Sequence, residues 1–112
     1  MARDVELILD DILDTIALID QSLTEKDRSK FDENYMLQLG VQRAIEIISE
    51  ASKHISPNLQ EQAPDVPWRS IRAMGNILRH EYHRIANDVI WDVIVQDLPV
   101  LKSAILFMKT RL

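Results

Sequence analysis

The sequence predicts an all-α fold, a bundle of four or five helices in a single domain spanning residues 1–112. Three observations carry this. Apolar residues recur three and four positions apart over long stretches. No segment alternates with the two-residue period of a strand. Glycine occurs only twice and proline four times in 112 residues, so little interrupts a helix. An apolar fraction of 46% with 28% charged residues is that of an ordinary globular domain able to bury one core.

The elements follow in order. A first helix is expected from about Asp4 to Ser22, where Val5, Ile8, Ile12, Ile16 and Ile19 fall on one face. The stretch "TEKDRSKFD" breaks that pattern and reads as a polar connection. A second helix is expected from about Asn34 to Ile55, with Leu37, Val41, Ala44, Ile48, Ala51 and Ile55 forming a bundle-type seam. "SPNLQEQAPDVP" holds three prolines and reads as a loop. A third helix should begin near Pro67, since proline suits a first helical turn, and Ile71, Met74 and Leu78 give it an apolar side. "HRIAND" reads as a connection, with Asn87 or Asp88 capping a fourth helix. That helix carries the stripe Ile90, Ile94, Leu98, Leu101, Ile105 and Met108, and Pro99 within it predicts a kink or break. Trp91, Val95, Leu106 and Phe107 lie off the stripe. A helix apolar on two sides points to a second partner, most simply another copy of the chain in a homodimer; a bundle that wraps both sides is the plainer alternative.

Composition excludes several functions. The net charge of −5 leaves no overall basic field for nucleic acid, so any such contact must rest on a local patch, and DNA is not expected as a ligand. Cysteine is absent, which removes disulfides, thiolate chemistry and cysteine-held zinc. No apolar run is long enough to span a bilayer, and "MARDVELILDD" turns acidic at once, unlike a secretory leader. The chain is therefore read as cytoplasmic, with no membrane partner. The glycines Gly40 and Gly75 are isolated, so there is no phosphate-cradling loop. His80 and His83 have the spacing of a helical metal pair, but His54 is the only other histidine and Arg84 stands where a zinc-protease motif needs its second histidine. No metal and no cofactor are expected.

Chemistry concentrates in "IRAMGNILRHEYHRIAND". Asn76, His80 and Arg84 are four apart and would share a helix face. His80 and Tyr82 would project to one side of an extended chain, so a helix end near His80 would bring both to one cleft. An imidazole, a phenol, an amide and several guanidiniums within a short radius suit phosphodiester chemistry without a metal. Histidine titrates near neutrality and can take or give a proton, and arginine offers paired donors to phosphate. The plainer reading is a solvated basic helix end. On the second helix, Arg43, Glu46 and Glu50 share a face. An exposed ion-pair ladder is the favoured reading there. Trp68 and Trp91 could stack on bases, but burial is the simpler role.

The same residues resemble the HepT-like toxins of the HEPN superfamily of ribonucleases. "VQRAIEIISEASKHIS" is similar to that family's second long helix, "PWRSIRAMGNILRHEYHRI" to its motif segment and "VIWDVIVQDLPVL" to the start of its last helix. The family pattern is an arginine, usually a polar residue after it, four to six intervening residues in all, a histidine, one residue and a tyrosine. Asn76, His80 and Tyr82 match; the arginine position falls on Gly75, Met74 or Ala73, and Arg72 lies one residue too far away.

The resemblance implies a HEPN-type homodimer whose motif residues meet across a cleft and cleave RNA without metal. It implies the toxin of a type VII-like toxin–antitoxin module, partnered by a small MntA-like nucleotidyltransferase antitoxin that transfers AMP to the motif tyrosine, here Tyr82. The catalytic residues would be His80, Arg79 and Asn76, supported by Arg72, Arg84, Glu46 and Glu50, the last two through the resemblance's placing of second-helix polar residues near the motif. Because Gly75 carries no charge, the alternative is a non-catalytic dimer that binds a nucleotidyltransferase partner or a nucleotide.

Overall fold

Helix α1, Ala2–Ser22, buries Leu9, Ile12, Ile16 and Ile19, the stripe its spacing announces with Leu9 added. The computed structural model describes residues 2–80 and 83–112, with side chains omitted at 2, 3 and 83–85. Helix α3, Tyr35–Ser52, lies at the centre of the bundle, with α1 and α5 against it and α2 and α6 touching it. Its start is set by Asn34, whose side chain accepts a hydrogen bond from the Leu37 N–H at 3.0 Å. Val41, Ile45 and Ile48 of α3 are buried against both neighbours. Helix α5, Trp68–His80, buries Ile71, Met74 and Leu78 as expected. Every described element is helical or a turn.

Two segments read as connections contain short helices. α2, Arg28–Glu33, is started by Asp27, which accepts from the Lys30 N–H at 2.9 Å, and is anchored by the fully buried Phe31. Its last carbonyls are met by buried Gln38, whose Nε2 donates to Phe31 O at 2.9 Å and Asp32 O at 3.0 Å. α4, Pro57–Glu61, has Ser56 as its cap and places Pro57 where its missing N–H costs nothing. Trp68 Nε1 ties the following turn down, donating to Gln60 O at 3.1 Å and Ala63 O at 3.0 Å.

"HRIAND" is not a connection. It begins helix α6, His83–Asp92, so Asn87 and Asp88 sit inside a helix and cap nothing. Ala86 and Ile90 supply its buried face, Val93 continues it just beyond the helix, and Asn87 is buried beside them. Its run of polar residues hid a face that begins with the small Ala86. The Arg28 guanidinium hydrogen-bonds both Asp32 and Asp88, fastening α2 to α6.

The break expected at Pro99 is present as an insertion. Val93–Asp97 forms a π-helical stretch in which the Leu98 N–H donates to Val93 O, one residue farther back than in an α-helix. Proline has no N–H and its ring crowds the carbonyl four residues earlier, so the ladder is reset just before it. Helix α7, Leu98–Thr110, follows and packs on α1. Lys109 and Asp10 form an ion pair between those two helices.

Candidate functional site

α5 is amphipathic enough to divide sharply. Trp68, Ile71, Met74, Gly75 and Leu78 face the core, while Arg69, Ala73, Asn76, Arg79 and His80 are exposed. His80 is the last residue of α5 before Glu81 and Tyr82, which lie outside the described residues, as does the expected helix end near His80. Asn76 and His80 are both exposed, one turn apart. Arg79 folds back along the helix, and its Nη2 hydrogen-bonds Asn76 Oδ1.

α3 supplies the facing wall. Gln42, Glu46 and Ser49 form a polar seam beside its apolar stripe. Glu46 is not part of an exposed ladder, as its spacing suggested: its side chain is only 11% exposed, because α5 lies across it. Its Oε2 accepts from Gln42 Nε2 at 3.3 Å, and the same amide reaches Leu78 O at 3.4 Å. Oε1 lies 3.6 Å from Arg43 Nη1 and 4.0 Å from Arg79 Nη1. A nearly buried carboxylate thus sits within ion-pair distance of two arginines from different helices, hydrogen-bonded to neither. Glu50 keeps the ladder role, pairing with Lys53 at 3.1 Å. That hydrogen bond, with the charges of Lys53, His54 and Arg79, holds its carboxyl below the ordinary range.

Gly75 is where α3 and α5 come closest. A Cβ there would lie 3.1 Å from Ser49 Oγ and 3.3 Å from Ser49 Cβ. Ser49 cannot easily give way, because it is buried, accepts from the Gly75 N–H at 3.2 Å and donates to Arg72 O at 3.1 Å. Of the three positions counted for the motif arginine, Met74 and Gly75 face the core and Ala73 faces solvent.

Arg72 lies apart from this cluster, its Nη1 donating to Gln60 Oε1 of α4 at 2.6 Å. Arg84 lies in α6, with its side chain outside the described residues, and Tyr82 lies outside them altogether. Trp68 is buried and Trp91 packs against Phe31, ring centroids 5.5 Å apart. Among the described residues no cluster of potential ligands could hold a metal ion, and no helix is long and apolar enough to cross a membrane. Spacing alone did not reveal Gln42 and Ser49; their offsets of four and three around Glu46 mark the seam, but only α5 shows what it faces.

A family model for HepT-like ribonucleases matches residues 12–108. The chain belongs to the HepT-like ribonuclease family. It is 35% identical over 103 residues to the "Probable ribonuclease HepT" of Thermococcus cleftensis, an alignment covering 92% of this chain and 94% of that protein. A Methanocaldococcus jannaschii protein named "Putative RNase MJ1380" is also 35% identical, with the same coverage of both chains. A longer protein of that organism, named "Gamma-glutamylcyclotransferase and putative RNase MJ0434", is 35% identical over 106 residues, 48% of its length. No solved structure matches the chain. The all-α architecture of the described residues is consistent with the HEPN fold of this family.

Proposed function

We propose that this HepT-like chain is a metal-independent endoribonuclease, acting as the toxin of a type VII-like module. The observation that carries the reading is the exposed face of α5, where His80 follows an Arg79 that is turned toward Asn76. In the reaction, the 2′-hydroxyl proton passes to a base and the 2′-oxygen attacks phosphorus. The bond to the 5′-oxygen breaks, and that oxygen receives a proton, leaving a cyclic phosphate. His80 serves as the acid or base. Arg79 neutralises charge on the phosphoryl oxygens, and Asn76 holds Arg79 in place. The active unit is a homodimer, and an MntA-like nucleotidyltransferase silences it by transferring AMP to Tyr82. A bulky anion beside His80 would exclude the substrate phosphate.

Purified protein should cleave RNA in the presence of EDTA, and His80→Ala should not; equal rates in the two preparations would sink the catalytic assignment. Arg79→Ala should lower the rate by about a hundredfold, the usual cost of a transition-state charge partner. With the nucleotidyltransferase, ATP and Mg²⁺, intact mass should rise by one adenylyl group, and Tyr82→Phe should abolish the rise. Gly75 motivates the second reading, a dimer that binds without cutting. An adenylyl adduct on a protein with no RNase activity would favour it.

A further inference from the structure

Between α3 and α5 lies a cavity of about 300 Å³. Gly75 and Ser49 are its buried lining, and Arg43, Lys53, His54 and Arg79 line its exposed part. Two carboxylates, Glu46 and Glu50, also reach it. Resting on the ribonuclease reading above, we propose that this groove is a second phosphate subsite, which holds the RNA backbone flanking the cut through Arg43 and Lys53. Arg79 marks its end nearest His80.

Charge supports this. Three permanent cations meet two carboxylates here, a local excess of positive charge on a chain whose net charge is −5. The cations are also available. Arg43 is 68% exposed and stands 3.6 Å from Glu46, beyond good hydrogen-bond reach, so its donors can turn outward. The Lys53–Glu50 pair is exposed and therefore weak. A phosphate offers stronger, charge-assisted bonds to the same groups.

The geometry selects a strand over a small anion. Arg43 and Lys53 are ten positions apart on the α3 side, about 15 Å at 1.5 Å per residue. One phosphate cannot bridge that span, whereas a strand can touch both ends.

The test uses the full chain carrying His80→Ala, so that RNA is bound but not cut. A fluorescein-labelled single-stranded RNA of mixed sequence is titrated by anisotropy at several KCl concentrations. Adding Arg43→Gln and Lys53→Gln should weaken binding about tenfold. It should also make the slope of log K against log salt shallower by about 1.4, from roughly 0.7 per phosphate contact on a single strand. A control pair, Lys30→Gln and Lys102→Gln, removes the same charge far from the groove and should leave the slope unchanged. Thermal melting checks that each variant is folded. Equal slopes in the groove variant and its parent, or equal losses in groove and control variants, would overturn the subsite alone. No RNA binding by the parent protein would overturn the ribonuclease reading and the subsite with it.

Discussion

Gly75 shows how one residue can set both packing and chemistry. Its missing side chain lets α5 approach Ser49, and that approach brings Arg79 within reach of Glu46. Installing the arginine that the family motif calls for is therefore not a repair. Gly75→Arg must push Ser49 and α3 aside, and overpacking of this kind costs about 1–3 kcal/mol. We expect a lower urea midpoint and no gain in RNA cleavage; a stable variant with faster cleavage would show that the helices yield and that the native enzyme lacks this cation. That Asn76 and His80 share a face was legible because a spacing of four places residues on one side of a helix whatever packs behind them, whereas Arg79 was singled out only as the neighbour of His80. Glu46 was misjudged for the complementary reason. Spacing on α3 put it beside Arg43, but its burial is decided by α5, which is more than twenty residues away in the chain. Arg72 looked equivalent to Arg79 in sequence and is taken instead by Gln60.

The long elements were legible because their apolar stripes repeat over many turns. The short ones were not. α2 rests on a single buried aromatic, Phe31, and on Gln38, which satisfies its carbonyls from another helix. The helix carrying Ile90 was expected, but its first turns, residues 83–88, were read as a connection because they are rich in polar residues. Pro99 did announce its own disturbance, and the π-helical stretch before it carries a measurable cost. Asp97 is partly buried at the junction with α7, and burial, then the nearby charge of Asp92, push its carboxyl above the ordinary range. For an acid the sign is unfavourable at neutrality. The folded state binds the proton more tightly than the unfolded state, so stability falls as pH rises from the unfolded pKa through the raised one. Asp97→Asn should therefore raise the melting temperature slightly at pH 7. The gain should vanish below about pH 4, where the unfolded carboxyl is itself protonated. A gain that persists unchanged in acid would mean that the charge is not its cause.

At the scale of the whole molecule, α7 is apolar on two sides. Leu101, Ile105 and Met108 are buried, while Val95 is 56% exposed, Val100 40%, Leu106 48% and Phe107 46%. Three of the four residues expected off the main stripe are thus exposed; the fourth, Trp91, is covered in part by Phe31 of α2, the helix that periodicity did not show. Scattered exposed apolar residues are normal on any protein, but these crowd one end of the chain. Beside them lies a cavity of about 620 Å³, lined by Pro64, Pro99, Val100 and Phe107 among others. This is the face we assign to the proposed homodimer. Substituting Leu106→Glu and Phe107→Glu together should turn a dimer into a monomer in sedimentation, with helical circular dichroism unchanged, because neither side chain belongs to the core. If the motif of each protomer works only across that dimer, the variant should also lose RNA cleavage. For the parent protein, activity per protomer should then fall on dilution below the dissociation constant. A variant that stays dimeric would move the interface elsewhere, and a parent protein that is monomeric yet fully active would remove the need for a second copy in the reaction.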